Sequence, residues 1–142
     1  MKPFPLAKVQ AIRQLEMDQA KHELMMIRKE IEVINQLIEQ LNQKHSILLD
    51  DRNKKLLSGI STFDLNQDQV KIKALMELKK THEIKREELK ILEDKSLKRL
   101  LDKKQTVNGL DKLKDKFLVN QAHAQRKQDM ELVEATLVHK QR

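Results

Sequence analysis

No cysteine, tryptophan or tyrosine occurs in the chain, and its 142 residues include only three phenylalanines, two glycines and two prolines. Without cysteine there are no disulfides, no thiolate metal ligands and no redox nucleophile, which gives mild support to a reducing compartment. The near absence of aromatics removes the bulky filling of a globular core. Gly59 and Gly109 stand too far apart in the sequence to build a phosphate-cradling loop. No apolar run approaches the roughly 20 residues needed to span a bilayer. Met1-Lys2-Pro3-Phe4-Pro5 leads into charged, amphipathic sequence with no signal-peptide core. These absences together predict a soluble, cytoplasmic protein.

What is present is charge and aliphatic bulk. Charged residues make up 36% and hydrophobic ones 39%, dominated by Leu, Ile, Lys, Glu and Gln, the composition of long helices and coiled coils. A disordered chain is the competing reading of so much charge, but disorder does not keep apolar residues on a regular period. Here Met17, Ala20, Leu24, Ile27, Ile31, Ile34, Ile38, Leu41, His45, Leu48 and Arg52 recur at alternating spacings of three and four. Such a heptad seam stays on one side of a helix only if the helix winds around a partner, since 3.5 residues per turn differs from the relaxed 3.6.

Pro3 and Pro5 disfavour helix before Leu6, and the spacing predicts a first helix over about 5–57, roughly 75 Å long at 1.5 Å per residue. Lys54 and Lys55 suit its negative end, and Gly59 can take the left-handed conformation that closes it. A tip loop over about 58–65 follows, with Asp64 as N-cap of a second helix over about 66–140 and Gln67 as its capping-box partner; Asn66 with Gln69 is the alternative. In this second helix Leu75, Leu78, Leu89, Leu92, Leu97, Leu100, Leu101, Val107, Leu110, Leu113 and Phe117 follow helical spacing, softened by Ser96 and Arg99. Whether Gly109 bends it is left open.

In an antiparallel hairpin the numbers of facing residues add to a constant. A loop centre near Ser61 and Thr62 sets that constant near 123, so that Leu48 faces Leu75, His45 faces Leu78, Leu41 faces His82, Ile34 faces Leu89, Ile31 faces Leu92, Arg13 faces Leu110 and Leu6 faces Phe117. The expectation is an all-α chain, one long antiparallel two-helix coiled-coil hairpin whose C-terminal helix overhangs over 118–142. An apolar stripe on a lone helix marks a binding face or a fraying end.

A two-helix rod offers no concave site, so neither catalysis nor a cofactor is expected. His22, His45, His82, His123 and His139 do not form a metal-ligand cluster at helical spacing. His45 and His82 fall on the seam, where a register-fixing polar layer is the plain account and a pH switch the sharper one. Net charge is +7, with 15 basic and 10 acidic residues over 67–117. Nucleic-acid binding would need aromatics ready to stack, and acidic residues are threaded through the basic series.

The N-terminal residues Phe4, Leu6, Val9, Ile12 and Arg13, followed by Glu16, Asp18, Ala20 and Leu24, resemble the opening of the FliJ family of flagellar type III export proteins, with the related injectisome stalk proteins sharing a similar start. The layout resembles that family too: a long helix, a tip with Gly59-Ile60, and a longer second helix. The resemblance implies a non-enzymatic stalk whose end bearing both termini binds a hexameric export ATPase. On this chain that end carries Leu6, Val9, Ile12, Arg13, Phe117, His123, Arg126 and Lys127. It further implies an arm that contacts the cytosolic linker of a membrane export gate, around Leu37, Leu41 and Leu48, of which Leu37 flanks the seam. Escort of export chaperones and peripheral association with the inner-membrane export apparatus are implied as well. The chain departs from some members in lacking aromatics on the arms. The alternatives are a structural coiled coil that self-associates through the overhang, and a basic nucleic-acid-binding hairpin.

Overall fold

The computed structural model describes residues 2–59 and 61–140, the last of them by its backbone alone. Two helices pack against each other as a helical hairpin, α1 over Ala7–Ser58 and α2 over Thr62–Lys140, with no strand among the described residues. The Pro5-Leu6 turn leads into α1, with the Ala7 N–H donating to the Phe4 carbonyl at 3.1 Å and the Gln10 N–H to the Leu6 carbonyl at 2.8 Å. At the far end the Ser58 hydroxyl donates to the Lys54 and Lys55 carbonyls, and Gly59 closes the helix at φ 81°, a conformation open to a residue without Cβ.

The turn is shorter than the sequence suggests. Ser61, not Asp64, caps α2: its hydroxyl accepts the Asp64 N–H at 3.2 Å and its carbonyl accepts the Leu65 N–H at 3.1 Å. Asp64 thus sits inside the first turn, where its carboxylate faces the positive end of the helix. α2 runs unbroken through Gly109, where an added Cβ would meet nothing within 4 Å.

The chain divides into two compact units, one of residues 22–98 and one of residues 1–21 with 99–142. In the first, Ile34, Ile38 and Leu89 form the core, with Ile31 packed against it. Leu24, Leu41 and Ile72 are buried as well. In the second, Met17, Ala20 and Val107 are buried. On α1 the buried and half-buried residues follow the predicted seam and extend it back to Gln10 and Arg13.

On α2 the seam differs from the predicted one. Leu78, Leu92, Leu101 and Leu113 are 47%, 48%, 49% and 51% exposed. Beside Leu78 and Leu92 the seam positions are held by Lys79 and Glu93, and Ser96 and Lys103 lie on it as well, all buried or half-buried. The cause is geometric, because α1 keeps a strict alternation of three and four and α2 must keep the same alternation to stay in contact. Ile72, Leu75, Lys79, His82, Arg86, Leu89, Glu93 and Ser96 are its seam residues in the first unit. His45 and His82 are half-buried at seam positions.

The register differs too. Arg52 with Gln69, Asn35 with Arg86 and Arg28 with Glu93 in the first unit, and Gln10 with Asp111 in the second, each add to 121 rather than 123. With α1 ending at Ser58 and α2 beginning at Thr62, the hairpin centre lies one residue earlier than the sequence suggests. Accordingly Phe4, not Leu6, meets Phe117, with ring centroids 5.5 Å apart.

This seam separates two leucines three residues apart. Leu89→Ala should lower the unfolding free energy by about 2–4 kcal/mol in urea titrations followed by circular dichroism. Leu92→Ala should change it by less than about 1 kcal/mol. Equal losses would contradict the seam.

Candidate partner-binding surfaces

The residues assigned to the ATPase-binding end all lie in the unit of residues 1–21 and 99–142. Leu6, Val9 and Ile12 are 38%, 39% and 56% exposed, so each presents an aliphatic face to solvent. Phe117 is half-buried because Phe4 lies against it, its ring tilted 52° from that of Phe117. His123, Arg126 and Lys127 are exposed on α2 beyond that contact.

Arg13 is held rather than free. Its Nη1 donates to both Glu16 carboxylate oxygens at 3.0 and 3.1 Å, and Lys103 Nζ donates to Glu16 Oε2 at 3.3 Å. Glu16 therefore bridges α1 to α2. The Arg13 guanidinium first, then the Lys103 ammonium, holds its carboxyl below the ordinary glutamate range, against a smaller opposing effect of burial. In the sequence Glu16 entered only through the resemblance, although its i,i+3 spacing from Arg13 is the signal that would have found the pair. Phe4 was quoted only for its resemblance, and its pairing with Phe117 depended on a register the sequence missed by two.

The three arm residues lie in the unit of residues 22–98. Leu41 is buried at 7% and Leu48 is half-buried, both in the seam, whereas Leu37 is 37% exposed beside it. Leu48 also lines an open groove of about 500 Å³ with Lys44, Ile47, Lys71, Ala74, Leu75 and Leu78. Its floor is aliphatic and lysines stand on both walls. Neither lysine has an ion-pair partner among the described residues. Leu78 is exposed here because it sits one residue ahead of the seam position that Lys79 occupies. The groove was invisible in the sequence for that reason. Leu41 contributes to a second groove of about 520 Å³, bordered by Lys73, Lys79 and Lys80 together with Glu77 and Glu83.

Among the described residues no three His, Asp or Glu side chains come together as metal ligands, and no helix is long and apolar enough to cross a membrane. Both surfaces present aliphatic side chains framed by charge.

The Glu16 bridge carries a pH dependence with a definite sign. A carboxyl whose folded pKa is lowered stabilises the fold above the ordinary carboxylate range, and that contribution is lost as pH falls through the lowered value. In a carbon-detected NMR titration Glu16 should ionise below the ordinary glutamate value of 4.5, and Arg13→Ala should move its midpoint upward. A midpoint at or above the ordinary value in the parent protein would contradict the bridge.

The family model described as Flagellar FliJ protein matches residues 1–133 of the chain. No curated protein and no solved structure matches it.

Proposed function

The chain belongs to the FliJ family of flagellar proteins, and on that footing we propose that it is a non-enzymatic stalk of the type III flagellar export apparatus. It binds the hexameric export ATPase with the end bearing both termini and contacts the cytosolic linker of the membrane export gate with its arm. Escort of export chaperones belongs to the same reading, as does a cytoplasmic location with peripheral attachment to the inner-membrane apparatus.

The observation that carries this reading is the bare stretch of α2. Gln121 Nε2 donates to the carbonyl of Lys2, in the segment ahead of α1, at 2.8 Å. From there to His139 every side chain is exposed, including Met130, Leu132, Val133, Leu137 and Val138 at 56–67%. A helix that leaves this much apolar surface uncovered is suited to the interior of another assembly. Leu6, Val9, Ile12, Arg13 and Phe117 at the paired end, and His123, Arg126 and Lys127 on the tail, are the residues proposed to meet the ATPase. On the arm Leu37 is the proposed contact, with Leu48 reached through the aliphatic groove. Leu41 supports the seam from within, since only 7% of it is exposed.

Truncation after Phe117 should abolish capture by the export ATPase while leaving mean helicity per residue unchanged by circular dichroism. Capture that survives the truncation would sink the assignment of the tail. On the arm, Leu37→Asp should weaken binding of the isolated gate linker by about fivefold or more while ATPase capture persists. Unchanged linker affinity would move the contact elsewhere.

A further inference from the structure

The uncovered tail carries a seam of its own. Continuing the hairpin seam past Gln121 leads to Ala124, Gln128, Glu131, Ala135 and Val138, which are mostly small or polar. The larger apolar residues Val119, Met130, Val133 and Leu137 lie off that line and are 54%, 64%, 58% and 56% exposed. With His123 and Arg126 between Val119 and Met130, they recur at alternating spacings of four and three. Val119 stands two residues after the seam residue Phe117, about 200° further round the helix. This second stripe therefore points away from the N-terminal segment, where Phe4 covers Phe117. Heptad spacing on a helix asks for a helical partner.

The charges say which partner fits. His123, Arg126 and Lys127 precede Met130, and Glu131 and Glu134 follow it. A parallel copy would set Asp129 beside Glu134, two like charges across the flank of the seam. An antiparallel copy, centred between residues 131 and 132, sets Met130 against Val133 and the aliphatic stem of Arg126 against Leu137. It also brings Lys127 beside Glu134, and two-fold symmetry makes each contact occur twice. We propose that residues 126–137 form a self-pairing surface on which a second copy of this chain docks antiparallel. The small apolar core makes the pairing reversible and dependent on concentration. It does not rest on the ATPase reading; a ring and a second copy would compete for the same stripe.

Sedimentation equilibrium of the full chain tests this. The weight-average mass should climb from 16.8 kDa towards twice that value as concentration rises. Lys127→Glu and Glu134→Lys each turn two attractive pairs into two like-charge pairs and should weaken association about tenfold. The double variant should return to within about threefold of the parent. Unchanged circular dichroism guards against a folding defect in any variant. A single-chain mass at every concentration overturns the proposal, as does a double variant no tighter than the singles. An ATPase that captures a chain with no self-association would leave the stalk reading standing alone. Charge-swap rescue without ATPase capture would do the reverse.

Discussion

Everything in this chain depends on the strict alternation of three and four along α1. Aliphatic residues on that spacing line one narrow side of a long helix, and water cannot cover them without a large cost in buried-area terms. A single partner helix must follow the stripe from end to end, and the partner must repeat at the same period. α2 obeys this even where its composition does not suit it. Lys79, Arg86, Glu93, Ser96 and Lys103 occupy seam positions because the geometry puts them there, while leucines one residue away stay in solvent. The asymmetry between an apolar α1 seam and a half-polar α2 seam is the physical origin of the exposed aliphatic surface on this protein.

That asymmetry also distributes function. Leu78 beside Ile47 and Ala74 forms a groove because the seam excludes it, not because a pocket was needed for packing. At the end bearing the N-terminus, the pairing of Phe4 with Phe117 and the Arg13–Glu16–Lys103 bridge hold the strands of the hairpin together. Beyond Gln121 the described side chains of α2 are all exposed, and its stripe changes sides. Membership of the FliJ family gives these surfaces a context in flagellar export.

Much of this was legible in the sequence. The α1 seam, the helix-closing role of Gly59, the two-helix topology and the uncovered tail all follow from period and punctuation. The α2 seam was legible in part: Leu75, Leu89, Val107, Leu110 and Phe117 lie on it, whereas reading apolar residues as core also selected Leu78, Leu92, Leu101 and Leu113, which stand off the alternation that α1 demands; beside Leu78 and Leu92 it is Lys79 and Glu93 that keep it. Ser61 rather than Asp64 capping α2 shortened the turn and shifted the register by two, which hid the partner of Phe117. Pairs bridged by polar atoms, such as Glu16 with Lys103, became visible only once the register was fixed. Leu37 could be separated from Leu41 in advance, because it stands off the α1 seam and Leu41 on it.

The central claim is that α1 is covered by α2 of the same chain in one register. Since the native chain has no cysteine, spin labels can be placed without background on Asn35→Cys with Arg86→Cys, the positions joined by a 3.2 Å hydrogen bond. Electron–electron distance measurements on labelled chains diluted into unlabelled ones should return a single short distance that dilution does not change, and Asn35→Cys with Glu93→Cys a longer one, because seven helical residues at 1.5 Å each displace the second label by about 10 Å along the axis. A short-distance signal that disappears on dilution, or equal distances for both pairs, would contradict the account.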